Sequence, residues 1–182
     1  YMDKLLAMPR LDAGGVKAKI AALDVGDIVA RVARRANAVR EDIWIDGDVE
    51  PGLPMVKADP LLLEQAIFNL VENALIHAPE SEQIVIKAHY SDGVRIDVID
   101  GGPGLPKGSE ARIFEKFARG EPGRGGGTGL GLAIVKGFAV LMGAKASAHN
   151  RADQHGAVFS VAFPESALAA ESTYGDDQPH RA

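Results

Sequence analysis

Apolar residues recur along this chain at two spacings, and the switches between them divide it into elements. Over residues 25–39, Val25, Ile28, Val29 and Val32 fall three and four apart, which predicts a helix, and Asp24 stands where a capping carboxylate belongs. A second helix is predicted to start at Asp59-Pro60, a capping Asp followed by Pro in the first turn. Leu63, Ala66, Ile67, Leu70, Val71 and Ala74 form its buried stripe, and it ends before Pro79. Residues 128–142 are apolar on nearly every side, which predicts a helix buried in the core. Alternation of period two marks residues 17–23, 84–90 and 94–100 as strands, and Asp92-Gly93 between the last two is a hairpin signal, because Gly tolerates positive φ. Ile43-Trp44-Ile45 and Met55-Val56-Lys57 are short strand candidates around the turn formers Gly47, Pro51, Gly52 and Pro54, and residues 144–150 and 157–163 form a closing hairpin. Trp44 and Phe159 are expected in the core. The order is that of a mixed α/β fold.

The same pattern sets the expected domain limits. Residues 1–15 read as the end of an amphipathic helix stopped at Gly14-Gly15, the stub of an upstream domain, since the chain starts at Tyr1 inside a helical pattern. Residues 16–164 hold the globular domain, and residues 165–182, small, polar and acidic, are expected to be a disordered tail or linker. Residues 101–127 are irregular apart from a helical turn near 113–117, and a loop of that length in a compact domain is functional or mobile.

Composition narrows the function classes. At 182 residues and 46% hydrophobic content, the chain suffices for one domain with a real core. The formal charge is -5 with the basic residues scattered, which argues against nucleic acid as a partner. Lys136 breaks the longest apolar run short of the roughly 18 residues a membrane span needs, so no membrane contact is expected of these residues. The absence of Cys excludes disulfides and Cys-based zinc sites.

Three constellations carry candidate chemistry. Asn69 and Asn73 lie four apart on the second helix and so share a face, set opposite the leucine stripe; two amide oxygens there can orient a hydrated Mg²⁺ already carrying a triphosphate, or belong to an ordinary solvated face. Asp100-Gly101-Gly102-Pro103-Gly104 follows a strand, so a carboxylate projects from a rigid strand end into a glycine loop; it can accept an exocyclic amine, or be merely a turn. Gly125-Gly126-Gly127-Thr128-Gly129-Leu130-Gly131 feeds a helix N-terminus, where free N–H groups favour phosphate oxygens, or is a simple linker. It is neither a Walker loop nor a Rossmann fingerprint, because no Gly-Lys-Ser/Thr follows and no strand precedes it.

In this order the three resemble the N, G1 and G2 boxes of sensor histidine kinases, with Phe114-Glu115-Lys116-Phe117 similar to the F box. The resemblance covers residues 16–164 and implies the Bergerat fold, a two-layer α/β sandwich whose mixed, mainly antiparallel sheet is faced by helices and bordered by a mobile ATP lid. Met8-Pro9-Arg10-Leu11-Asp12-Ala13-Gly14 and Phe117-Ala118-Arg119-Gly120 look most like the potassium-sensing Kdp-type kinases. The resemblance implies ATP and Mg²⁺ as cofactors: Asp100 on the adenine amine with Gly102 and Gly104 around it, Asn73 on the metal with help from Asn69, and Gly127, Thr128, Gly129, Leu130 and Gly131 on the phosphates. Three positions depart from the family pattern. Ile76 stands for a phosphate-binding Lys, Gly101 for an Asn, and Ala157 for a Thr supporting the adenine site. His77 stands where the family often has Tyr, so it either contacts nucleotide or is a solvated helix-end residue. Lys116, Arg119 and Arg124 are the remaining candidate phosphate cations by sequence, Arg119 first, the alternative for Arg119 and Arg124 being solvated loop charges.

Relatives of this fold that hydrolyse ATP carry a Glu at the position of Asn69, because water needs a general base. A histidine acceptor brings its own nucleophile, so phosphoryl transfer by positioning and metal electrostatics is expected instead. None of His77, His89, His149, His155 and His180 is followed by the acidic residue of the family's phosphoacceptor box, which places the acceptor in the upstream dimerisation domain. The implied partners are that domain and a response regulator, in a homodimeric, membrane-anchored protein whose catalytic part is cytoplasmic. A serine kinase of related fold and a degenerate nucleotide-sensing module are the alternatives.

Overall fold

The computed structural model describes residues 17–39, 43–78, 81, 83–116, 129–152 and 155–170. Strand β1 (Ala21–Leu23) leads into helix α1 (Val25–Asn37), followed by β2 (Trp44–Val49), β3 (Val56–Ala58) and helix α2 (Pro60–His77). The β4 (Gln83–Tyr90) and β5 (Gly93–Ile99) hairpin comes next, then a 3-10 turn at Arg112–Phe114, helix α3 (Gly131–Leu141), and strands β6 (Lys145–Asn150) and β7 (Ala157–Pro164). A five-stranded sheet runs in the order β2-β4-β5-β7-β6, with β2 and β4 parallel and every other pair antiparallel, and β1 pairs with β3 in a separate two-stranded sheet. This is the expected mixed, mainly antiparallel sheet faced by helices.

Caps and register follow from the residues named above. Asp24 Oδ1 accepts from the Gly26 N–H at 2.7 Å and starts α1. Asp59 accepts from the N–H groups of Leu61 and Leu62 at 2.9 and 3.2 Å and, through its other oxygen, from the Lys19 N–H at 2.6 Å, so one buried side chain caps α2 and holds the strand entering β1. Asn37 closes α1 onto β2, donating to the Ile45 carbonyl at 2.8 Å and accepting from the Ile45 N–H at 3.0 Å. The Arg35 guanidinium lies 3.8 Å from the Phe68 ring centroid and ties α1 to α2. One sheet face, bearing Ile84, Ile86, Val94, Ile96, Val98, Phe159, Val161 and Phe163, packs with Val29, Val32, Ile67, Leu70, Ile134 and Val135 of the helices into a single core. In the hairpin, Asp92 adopts φ 53 and Gly93 φ 120; a Cβ on Gly93 would land on the Phe163 carbonyl oxygen.

Four expectations are corrected. Trp44 is 63% exposed, because Ile45 takes the core side of β2 and alternation sends Trp44 to the opposite face. Strand β2 runs on through Gly47, which was expected in a turn; a Cβ there would come 2.9 Å from the Val29 side chain, so the small residue admits α1. Helix α3 starts only at Gly131, although residue 128 itself lies outside the described residues. The segment after Pro164 is not a disordered tail at its start. Glu165–Ala167 forms a 3-10 turn, Leu168 bridges Val56, Ala169 N–H donates to the Met55 carbonyl at 2.8 Å, and Tyr90 O–H donates to Glu165 at 2.8 Å. Ala167 and Leu168 pack on the core, a two-residue apolar signal outweighed in the sequence by its polar neighbours. The predicted stub over residues 1–15 and the rest of the tail from residue 171 lie outside the described residues.

Candidate functional site

The first constellation forms where β5 ends. Asp100 is 5% exposed, and its backbone N–H still pairs with β7, donating to the Ala157 carbonyl at 3.0 Å. Its Oδ1 accepts from the N–H groups of Gly102 and Ala157 at 2.9 and 3.2 Å. Among the described residues no donor is bonded to Oδ2. A rigidly held carboxylate with one committed and one open oxygen is suited to accepting an amine. The departure at Ala157 leaves this support intact, because the contact comes from the backbone N–H, which any non-proline residue supplies.

The glycines of this loop answer to the chain's own packing. A Cβ on Gly102 would come 2.5 Å from the Ala78 Cβ just past α2, and one on Gly104, at φ 80, would come 2.6 Å from Asn150 Oδ1. Gly156, at φ 125, passes so close to the Asp100 carbonyl oxygen that no side chain fits. Two polar side chains that the sequence did not mark fix the loop. Ser81 Oγ accepts from the Gly101 N–H at 2.9 Å, and Asn150 accepts from the Leu105 N–H while its amide donates to the Leu105 carbonyl at 2.9 Å. Neither Ser81 nor Asn150 carries a local sequence signal, since each acts across many residues of chain.

Helix α2, which carries both amides, meets this loop at its C-terminal end, where Ala78 faces Gly102. Asn69 is not on a solvated face opposite the leucines; it is 2% exposed and lies on the buried side with Leu70. Its Oδ1 accepts from Gln65 Nε2 at 3.3 Å, and its Nδ2 is buried with no hydrogen-bond partner. Such an orphan costs about 1–3 kcal/mol in a folded chain. A half-turn of both amides presents Oδ1 in place of Nδ2, so Asn69 offers one unpaired position that is donor or acceptor by rotation. Asn73, one turn on, is half-buried, while Ile76 and His77 at the helix end are exposed. The orphaned amide and its half-buried neighbour fit an oxygen-ligated, largely hydrated ion brought in with a phosphate, and among the described residues no three His, Asp or Glu side chains cluster as a metal site of their own.

The third constellation is described in part. Gly129 adopts φ 68, Leu130 is buried at the N-cap of α3 and makes no side-chain cap bond, and beside Gly131 a Cβ would meet only open space. Among the described residues no side chain caps the first N–H groups of α3, the arrangement that receives an anion. Helix α3 packs on α2, and the end of α2 meets the Asp100 loop where Ala78 faces Gly102. Lys116 is exposed at the far side of the described loop. Gly127, Thr128, Arg119 and Arg124 lie outside the described residues.

Known proteins share this arrangement. Residues 58–167 match the family described as histidine kinase-, DNA gyrase B-, and HSP90-like ATPase. The sensor protein KdpD of Escherichia coli (strain K12) is 34% identical over 166 residues, which cover 90% of this chain and 18% of that protein. The crystal structure of full-length ShkA in complex with AMPPNP superposes with a TM-score of 0.79 at 31% identity, over 92% of this chain and 35% of that one. The mycobacterial sensor histidine kinase MprB gives a TM-score of 0.68 at 26% identity, over 80% of this chain and 97% of that structure. The chain thus spans under a fifth of the KdpD relative, and the likeness to Kdp-type sensors read from its motifs recurs there. By its boxes, its fold and this match over residues 58–167, the chain belongs to the histidine kinase-, DNA gyrase B- and HSP90-like ATPase family, as an ATP-binding catalytic domain of the sensor histidine kinase type.

Proposed function

We propose that this domain binds Mg-ATP and transfers the γ-phosphoryl group to a histidine of a dimerisation domain, from which a response regulator is then phosphorylated. The observation that carries the reading is Asp100, buried and held by two backbone N–H groups with its second oxygen uncommitted, in a loop packed against the end of the helix that bears the orphaned amide of Asn69. Asp100 accepts the adenine amine. Asn73 and Asn69 would hold Mg²⁺, whose charge stabilises the transferring phosphoryl group. The N-terminal amides of α3 with Gly127, Thr128, Gly129, Leu130 and Gly131 take the phosphates, and Arg119, with Lys116 and Arg124 nearby in sequence, supplies the cation that Ile76 does not.

Transfer is favoured over hydrolysis because α2 offers no carboxylate at Asn69, and Glu64 of the same helix is paired with Arg31 at 3.2 Å. With no carboxylate at that position to activate water, the reaction waits for an acceptor that is itself a nucleophile. The full-length protein is read as a homodimer anchored in the membrane with this domain in the cytoplasm; among the described residues no helix is long and apolar enough to cross a bilayer. A single-turnover assay with γ-labelled ATP and a supplied dimerisation domain tests the function. Label should pass to the acceptor histidine faster than free phosphate appears. Rapid phosphate release without labelling would identify a hydrolase, and tight binding with neither outcome a nucleotide-sensing module, and each result would overturn the reading.

A further inference from the structure

The sheet face turned away from the helices carries a row of residues in register across four strands: His89 of β4, Arg95 of β5, Ala162 of β7 and Lys145 of β6. Residues directly opposite one another share a face, so Arg95 and Lys145 flank the methyl group of Ala162 from strands about 10 Å apart. The small residue between two long ones leaves a depression, closed at its end by the Ser91-Asp92 turn and the Gly143-Ala144 turn, with a volume of about 310 Å³. It lies about 16 Å along β5 from Asp100, at the opposite end of the sheet from the nucleotide site.

The charges around it are uneven. Asp97, the next residue of β5 on this face, is committed on both oxygens: Ser160 Oγ donates to Oδ1 at 2.6 Å, and His89 Nε2 lies 2.9 Å from Oδ2. Lys87 and Asp48 neutralise each other at 3.1 Å. Arg95 Nε is buried without a hydrogen-bond partner, and among the described residues neither Arg95 nor Lys145 has an ion pair. Asp92, at the rim, is among the described residues the one acid lining the depression, and it is exposed, so water and salt screen it more than they screen the half-buried guanidinium.

We propose that this depression is an oxyanion site that takes a phosphate group between Arg95 and Lys145, separate from the nucleotide site. The two Nη groups of Arg95, outermost on a guanidinium whose Nε is buried, form the fork that matches two oxygens of such a group, and Lys145 supplies a second charge from the far wall. Ala162 sets the space, and the turn Gly143-Ala144 bounds it.

Titration of the isotopically labelled protein with inorganic phosphate, followed by NMR, tests the site. The Arg95 Nε–H and the amides of Gly143 and Ala144 should shift along a saturable curve that sodium chloride at the same ionic strength does not reproduce. Arg95→Gln should weaken this binding at least about tenfold, the loss expected for a charge-assisted hydrogen bond. Ala162→Leu should abolish it with both charges still present, and neither variant should alter Mg-ATP affinity. Shifts that rise linearly, that chloride reproduces, or that persist in Arg95→Gln would overturn the proposal, and the Arg95→Gln result decides even if Ala162→Leu fails to fold.

Discussion

Replacing Asp100 separates the proposed nucleotide contact from the structural one, because the two are assigned to different oxygens of the same side chain. In Asp100→Asn the remaining oxygen keeps the N–H groups of Gly102 and Ala157 at 2.9 and 3.2 Å, while an NH₂ group takes the place of Oδ2. A donor then faces the adenine amine, itself a donor. Loss of a hydrogen bond to a charged acceptor is worth about 1.5–3 kcal/mol, so Mg-ATP affinity should fall roughly ten- to hundredfold. Folding should change by less, since weaker neutral bonds are offset by relief of a buried charge. Asp100→Ala instead strips both N–H groups of their acceptor, at about 1–3 kcal/mol each, and should destabilise the fold by roughly 2–6 kcal/mol in urea denaturation. Calorimetry on both variants supplies the comparison. Mg-ATP binding by Asp100→Asn within about twofold of the parent would refute the assignment of Oδ2, well inside the loss expected of a charge-assisted bond.

Three further outcomes follow from the loop and its surroundings. Asn150→Ala removes both side-chain bonds to Leu105 and should cost about 1–2 kcal/mol, with faster amide exchange at Leu105 and weaker Mg-ATP binding; unchanged exchange there would show that the clamp does not order the loop. Gly102→Ala forces its new methyl toward Ala78, 2.5 Å away, and should destabilise the domain by about 1–3 kcal/mol, whereas Gly131→Ala, facing open space, should not produce such a clash; equal effects in thermal melts would contradict the packing. The hydrogen bond from Tyr90 to Glu165 raises the phenol pKa above its ordinary value of 10.0, followed by burial and by the charges of Glu165 and Asp92. The neutral phenol is the bonded form, so any stabilisation is complete below pH 10 and fades as pH climbs through the raised value, and the stability gap between the parent and Tyr90→Phe should close over that range.

Local signals made most of the fold legible. Asp24 and Asp59 announced their helices because a cap acts within three residues, and the hairpin was readable from Asp92-Gly93 because its turn is equally local. Trp44 was misplaced because three consecutive apolar residues do not say which of them faces inward; only the pairing of Ile45 with Ile84 decides that. Asp100 was legible as a carboxylate at a strand end, yet its support by Ala157 and the bracing of its loop by Ser81 and Asn150 span 57, 20 and 45 residues of chain. No periodicity carries contacts of that range. The burial of Asn69 was hidden for a different reason, since helical spacing places it one position from Leu70 and a polar residue at the edge of a stripe reads as solvated.

The account rests on Asp100 reading the base through a hydrogen bond that it accepts, and comparison of ATP with GTP tests this without altering the protein. Guanine carries a carbonyl oxygen where adenine carries its amine, so two acceptors would face each other in a buried site, losing one hydrogen bond and leaving the carboxylate oxygen unpaired. Calorimetry with each magnesium nucleotide should give ATP the tighter Kd by at least about fiftyfold, the equivalent of about 2.3 kcal/mol. Equal affinities for the two nucleotides would contradict the account, because a pocket indifferent to that exchange does not read adenine with a carboxylate.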